Sequence, residues 1–140
     1  MGFLGIAVTQ GAEQERDLWN LVLLHFRPDA VFVLGGVEWT PYRQNVSHVT
    51  TLAAAAPEAE LVVVAPANGT EVAGDTSLIS FEHPDLALYV FGQDNAHLSE
   101  ACFGGRTPFA RVFVPTDGDY QMHSHSAGLL TLYDRRVKRG

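Results

Sequence analysis

Five short apolar runs, each closed by glycine, proline or a polar turn, restrict this chain to a narrow set of architectures. Residues 3–9, 30–34, 61–65, 86–91 and 110–114 are apolar almost without interruption, and each is too short for a buried helix. A strand that is apolar on successive residues, not alternate ones, has both faces covered, as in a parallel sheet. Between the runs the periodicity changes. Glu13–Phe26 places Leu18, Leu21, Val22 and His25 at helical spacing, opens with Glu13, Glu15 and Asp17, and stops before Pro28. Ser47 reads as an N-cap before Val49, Leu52, Ala53 and Ala56, so the spacing predicts a second amphipathic helix ended by Pro57. A last helix is expected over residues 126–137, with Leu129, Leu130, Leu132 and Tyr133 on its apolar side. Residues 78–81 read as a short strand or turn, and residues 95–103 as a short helix broken by Gly104-Gly105. The fold class that follows is α/β: a mostly parallel sheet covered by helices on both faces.

At 140 residues the chain has room for one domain with a substantial core, and we read residues 1–140 as that domain. Its single cysteine, Cys102, has no partner for a disulfide and fits a reducing compartment. No apolar run is long enough to span a bilayer, and residues 1–8 lack the basic start of a signal peptide, so the expected location is the cytoplasm. The net charge of −7 opposes a general polyanion-binding surface. Arg135, Arg136, Lys138 and Arg139 nevertheless crowd the C-terminus, with Arg106 and Arg111 upstream. Two readings stand for that cluster: a local basic patch, or cations favoured at a helix C-terminus.

Ligands of open parallel sheets bind beyond the C-terminal ends of the strands. Three strand ends here have the composition for it: Ala65-Pro66-Ala67-Asn68-Gly69, Phe91-Gly92-Gln93-Asp94-Asn95 and Val114-Pro115-Thr116-Asp117-Gly118. Glycine lets a ligand approach the backbone, and proline sets the exit angle of the chain. The stretch from Leu88 to Ser99, an apolar strand followed by Phe91-Gly92 and the acidic Asp94, resembles the second motif of the SpoU–TrmH class of knotted RNA methyltransferases. Val112-Phe113-Val114-Pro115-Thr116-Asp117-Gly118 resembles that class's third-motif strand, and Ser126-Ala127-Gly128-Leu129-Leu130 with Leu132-Tyr133-Asp134 resembles its closing helix. Phe26-Arg27-Pro28-Asp29-Ala30-Val31 is similar to its first turn.

The resemblance implies a C-terminal trefoil knot, a homodimer, S-adenosylmethionine as methyl donor and ribose 2′-O-methylation of a tRNA or rRNA. It places the cofactor against Ala65, Pro66, Phe91, Gly92, Phe113, Val114, Pro115, Met122 and Ser126. The motif residues that carry chemistry in that class differ here. Its Ser and Asn fall on Gln121 and His123, its arginine on Leu21, and its asparagine on Glu15. His123 is then the candidate base, because an unperturbed histidine titrates near neutrality, and Arg16 or Arg43 the candidate substitute for the missing arginine. The alternative function is a catalytically degenerate relative that binds cofactor or RNA without methyl transfer.

The His123-Ser124-His125-Ser126 patch also admits a plain loop or helix-start reading, and a metal reading that lacks a third ligand in the sequence. Trp19 reads as a core or interface anchor. Trp39 and Tyr42, beside Arg43, suit either stacking on a nucleobase or packing on the core.

Overall fold

A computed structural model describes residues 2–9, 13–35, 45–64, 75–92, 100–117 and 122–139, the side chains of residues 13–15 and 100 aside. Its elements in chain order are β1 (Phe3–Val8), α1 (Glu13–Phe26), β2 (Ala30–Leu34), β3 (Val46–Val49), β4 (Glu60–Val64), β5 (Thr76–Ser77), β6 (Leu86–Phe91), β7 (Ala110–Phe113) and α2 (Ser124–Arg139). The seven strands form one sheet in the order β3-β2-β1-β6-β4-β7-β5, and every pairing is parallel. Each of the five apolar runs is a strand, to within a residue or two at its ends.

The sheet buries both faces, and the residues divide between them with the period of two that a strand imposes. Ile6, Val8, Val31, Val33, Val62, Val64, Tyr89, Phe91 and Val112 face one side, where Trp19, Val22 and Leu23 of α1 and Ala127 and Leu132 of α2 close over them. Ala7, Leu34, Leu61, Val63, Leu88 and Val90 face the other, against Leu52, Ala55, Ala59 and Phe103. Each large side chain so enclosed contributes roughly 1.5–3 kcal/mol of hydrophobic free energy. The turn from α1 into β2 is tied to the sheet at Asp29: its carboxylate accepts from the Leu4 amide at 2.8 Å, and its own amide donates to the Leu4 carbonyl at 2.7 Å.

The expected helix beginning after Ser47 is not formed. Val46–Val49 is an edge strand paired with β2, and residues 51–59 are a series of turns covering the second face. The physical reason lies far away in sequence. The Arg106 guanidinium donates to the carbonyls of Leu52 (2.9 Å), Ala55, Ala56 (3.3 Å) and Ala59 (2.9 Å), and the Leu52 amide donates to Cys102 O at 2.7 Å. Backbone groups that a helix would satisfy internally are satisfied across the fold instead, and Ala56 takes a left-handed φ of 45°. The buried set is Leu52, Ala55 and Ala59, whereas Ala53 faces solvent. Residues 78–80 and 100–103 form short 3-10 turns, and the final helix starts two residues earlier and ends two later than its apolar spacing indicated.

Candidate functional site

The C-terminal ends of the central strands finish level with one another. Phe91, the last residue of β6, pairs with Val8 of β1 on one side and Val64 of β4 on the other, and Val64 in turn pairs with Val112 of β7. Gly92 and Val114-Pro115 therefore lie just past the last ladder pairs, at the same edge. Phe91, Phe113 and Val114 are buried, Gly92 is half-buried and Pro115 is exposed. Ala65 and Pro66 lie outside the described residues, as do Arg43, Trp39, Tyr42 and Asp94.

α2 starts at this edge and runs back down the sheet. Met122 packs on the core cluster that contains Phe91 and Val114. The His123 carbonyl accepts from the amides of Ser126 (3.0 Å) and Ala127 (3.1 Å), which makes His123 the residue from which the helix springs. The rings of His123 and His125 stack, with centroids 5.7 Å apart and planes 17° from parallel. Ser126 Oγ lies 3.4 Å from His125 Nε2. α1 also begins at this edge, and Arg16 stands one turn before the buried Trp19 and Asn20, on the same helix face. The structure thus gathers Phe91, Gly92, Phe113, Val114, Pro115, Met122, His123 and Ser126 at one end of the sheet, with Arg16 on the helix that flanks it. Leu21, where the resemblance expects an arginine, is 53% exposed on the outer side of α1. Among the described residues, no group of three His, Cys, Asp or Glu side chains could hold a metal ion.

Three interactions had no local signal in the sequence. One is the Arg106 clamp. Another is the hydrogen bond from Trp19 Nε1 to Ser124 Oγ, 2.9 Å, between residues 105 apart. The third is a buried network at the opposite end of the sheet. His83 Nε2 lies 2.7 Å from Asp134 Oδ2, His83 Nδ1 lies 2.7 Å from the Tyr89 hydroxyl, and Arg135 Nη1 lies 3.0 Å from that hydroxyl. Arginine only donates, so the Tyr89 oxygen accepts from it and its O–H donates to Nδ1; Nε2–H then donates to Asp134. Every group is satisfied with His83 neutral. Burial pushes the His83 pKa below its ordinary 6.5, against the pull of Asp134, and raises that of Tyr89.

The C-terminal basic cluster belongs to this end too, and it is a clamp. Arg135 donates to the carbonyls of Pro84 and Asp85, Lys138 to those of Leu78, Ile79 and Phe81, and Arg139 to that of His83. A cavity of about 460 Å³ between Ile79, Phe81, His83, Lys138 and Arg139 lies here, away from the strand ends. Arg111 is paired with the buried Asp75, Nε to Oδ1 3.3 Å. Of the six basic residues that suggested a polyanion patch, only Arg136 is not engaged in these contacts, and it is exposed.

The fold is that of the SpoU and TrmH methyltransferases. The chain is similar to the SpoU methyltransferase AviRb from Streptomyces viridochromogenes, solved in complex with AdoMet: the TM-score is 0.73 at 17% identity, over 99% of this chain and 58% of that one. It is similar to the A. aeolicus TrmH/SpoU tRNA modifying enzyme, with a TM-score of 0.76 at 10% identity, over 99% of this chain and 77% of that one. A third structure, concerned with the 2-OH methylation of C/U34 on tRNA, matches at a TM-score of 0.67 and 12% identity, over 99% of this chain and 97% of that one. This chain therefore spans well under two thirds of AviRb and nearly all of the third protein. No protein-family model and no curated protein matches the sequence.

Proposed function

We propose that the chain is an S-adenosylmethionine-dependent RNA methyltransferase acting on the ribose 2′-hydroxyl of a tRNA or rRNA. The observation that carries this reading is the convergence of the β6 end, the β7 end and the start of α2 in a fold shared with SpoU and TrmH proteins over nearly the whole chain. The strand ends suit the cofactor chemically: Phe91, Val114 and Met122 form an apolar floor, and the backbone from Gly92 and from Val114-Pro115 leaves the ladder beside it. Phe113 and Ser126, with Ala65 and Pro66, complete the proposed binding set. When bound, the cofactor supplies a sulfonium methyl already activated for transfer. The protein then has to hold the acceptor hydroxyl in line and take its proton. In this reading His123 takes the proton, with the His125 ring stacked against it, and Arg16 orients the substrate.

Residues 115–127 would pass through the loop after Phe91 to tie the knot; residues 93–99 and 118–121 of that path lie outside the described residues. The functional unit is a homodimer. Its support is an unpartnered apolar surface: Leu21 and Leu24 on α1, and Leu129, Leu130, Tyr133 and Val137 along one side of α2, the last two 60% exposed. Exposed large apolar side chains in such number on two helices are characteristic of an interface. The proposed site of action is the cytoplasm; no helix among the described residues is long and apolar enough to cross a membrane.

Titration calorimetry with S-adenosylmethionine, then tritium transfer to bulk tRNA and rRNA with His123→Ala as control, tests the proposal. Wild type should bind cofactor and label RNA, and His123→Ala should lose labelling. Absence of binding at millimolar cofactor refutes every reading in which the chain holds the cofactor. A second reading, binding without methyl transfer, is favoured by the exposed leucine at position 21; cofactor binding with no labelling of any RNA selects it.

A further inference from the structure

We infer that Trp19, acting through Ser124, is the positioning residue that sets where His123 and Ser126 stand relative to the end of β6. The inference rests on the proposed cofactor site for its functional consequence. Trp19 is fully buried, and an indole N–H can only donate, so it requires a buried acceptor. Ser124 Oγ is that acceptor at 2.9 Å. The same indole packs against Phe91, with centroids 5.0 Å apart at 58°. One helical turn beyond Ser124, Gly128 gives the ring its space: a Cβ there would fall inside van der Waals contact of the indole.

One side chain therefore touches the last residue of β6, the first residue of α2 and the next turn of α2. His123 is joined to that first turn by the bonds from Ser126 and Ala127 to its carbonyl, so a shift of the turn carries His123, His125 and Ser126 with it. The other end of α2 is held separately. Arg135, Lys138 and Arg139 fasten it to residues 78–85 by bonds in which Trp19 has no part. Two independent attachments divide the labour: the basic clamp docks the helix, and the Trp19–Ser124 pair aims its site end. A single lost hydrogen bond can thus alter the site without undocking the helix.

Trp19→Phe keeps a buried aromatic ring and removes the donor, while Ser124→Ala removes the acceptor. Both are compared with wild type by three measurements: NMR titration of the His123 and His125 ring protons, amide hydrogen exchange across α2, and calorimetry with S-adenosylmethionine. Each variant should shift both imidazole titrations and raise exchange over residues 122–130 but not 131–139. Each should weaken the cofactor by about three- to tenfold, and the double variant should be no worse than either single one. Unchanged histidine titrations and unchanged exchange at 122–130 in Ser124→Ala overturn the inference; that variant, which deletes one oxygen, decides the matter if Trp19→Phe loses overall stability. Wild type that binds no cofactor refutes the methyltransferase reading and leaves the titrations and exchange to decide the role of Trp19. Variants that bind cofactor as tightly as wild type overturn the positioning role and leave that reading intact.

Discussion

Replacing Arg106 by alanine should unfasten the whole segment that covers the second face of the sheet. The guanidinium serves four carbonyls, of which those of Leu52 and Ala56 also accept from the Ala55 and Ala59 amides. The carbonyls of Ala55 and Ala59 depend on Arg106 among the described residues. A hydrogen bond from a charged donor contributes about 1.5–3 kcal/mol. Two such bonds, discounted because Arg106 is half-buried and water can replace part of it, give a loss of roughly 3 kcal/mol. Unfolding entropy near 2.1 cal/mol/K per residue amounts to about 0.3 kcal/mol/K for a chain of this size, so the midpoint should fall by about 10 °C. Differential scanning calorimetry measures it, and amide exchange should rise across residues 52–59. Arg106→Lys keeps the charge but lacks the planar fork that reaches four acceptors, and should recover no more than about half the loss. A drop below about 3 °C for alanine, or a lysine variant as stable as wild type, refutes the clamp.

Gly128→Ala should destabilise the protein by about 1–3 kcal/mol, because overpacking against Trp19 outweighs the gain in helix propensity; an unchanged or raised melting temperature contradicts that packing. Stability should also fall on acidification. With its folded pKa depressed by burial, His83 contributes stability that is complete above the ordinary 6.5 and is lost as pH falls from there through the folded value. A melting-temperature profile of His83→Gln should be flatter than wild type in that window, and parallel profiles contradict the assignment. Because five of the nine basic residues are committed to internal partners, RNA binding by one protomer should respond weakly to salt. With those five engaged, at most four of the nine Lys and Arg are left to meet phosphates, so the slope of log K against log salt should be no steeper than about −3 on single-stranded RNA. A slope beyond about −4, from fluorescence anisotropy, rules this out.

Five of the seven strands and both long helices among the described residues were legible in the chain, because continuous apolar runs and 3.6-residue spacing are local properties. So were the strand ends that line the proposed site, since glycine and proline mark them at Phe91-Gly92 and Val114-Pro115 whatever the tertiary partners. Residues 46–59 show where local reading ends. Leu52, Ala53 and Ala56 fit a helix equally well in isolation, and the competing structure is chosen by Arg106, some fifty residues away, whose donors replace those of a helix. The C-terminal cations were ambiguous for the same reason: a string of Arg and Lys does not state its partners. Only the packing of α2 against residues 78–85 commits Arg135, Lys138 and Arg139 to carbonyls. Likewise, no pattern in the chain links Trp19 to Ser124, or His83 to Tyr89 and Asp134. Periodicity determined which residues face the core; the parallel sheet, by bringing distant segments level, decided which polar groups meet there, because burial leaves each donor or acceptor only the partners the fold puts within reach.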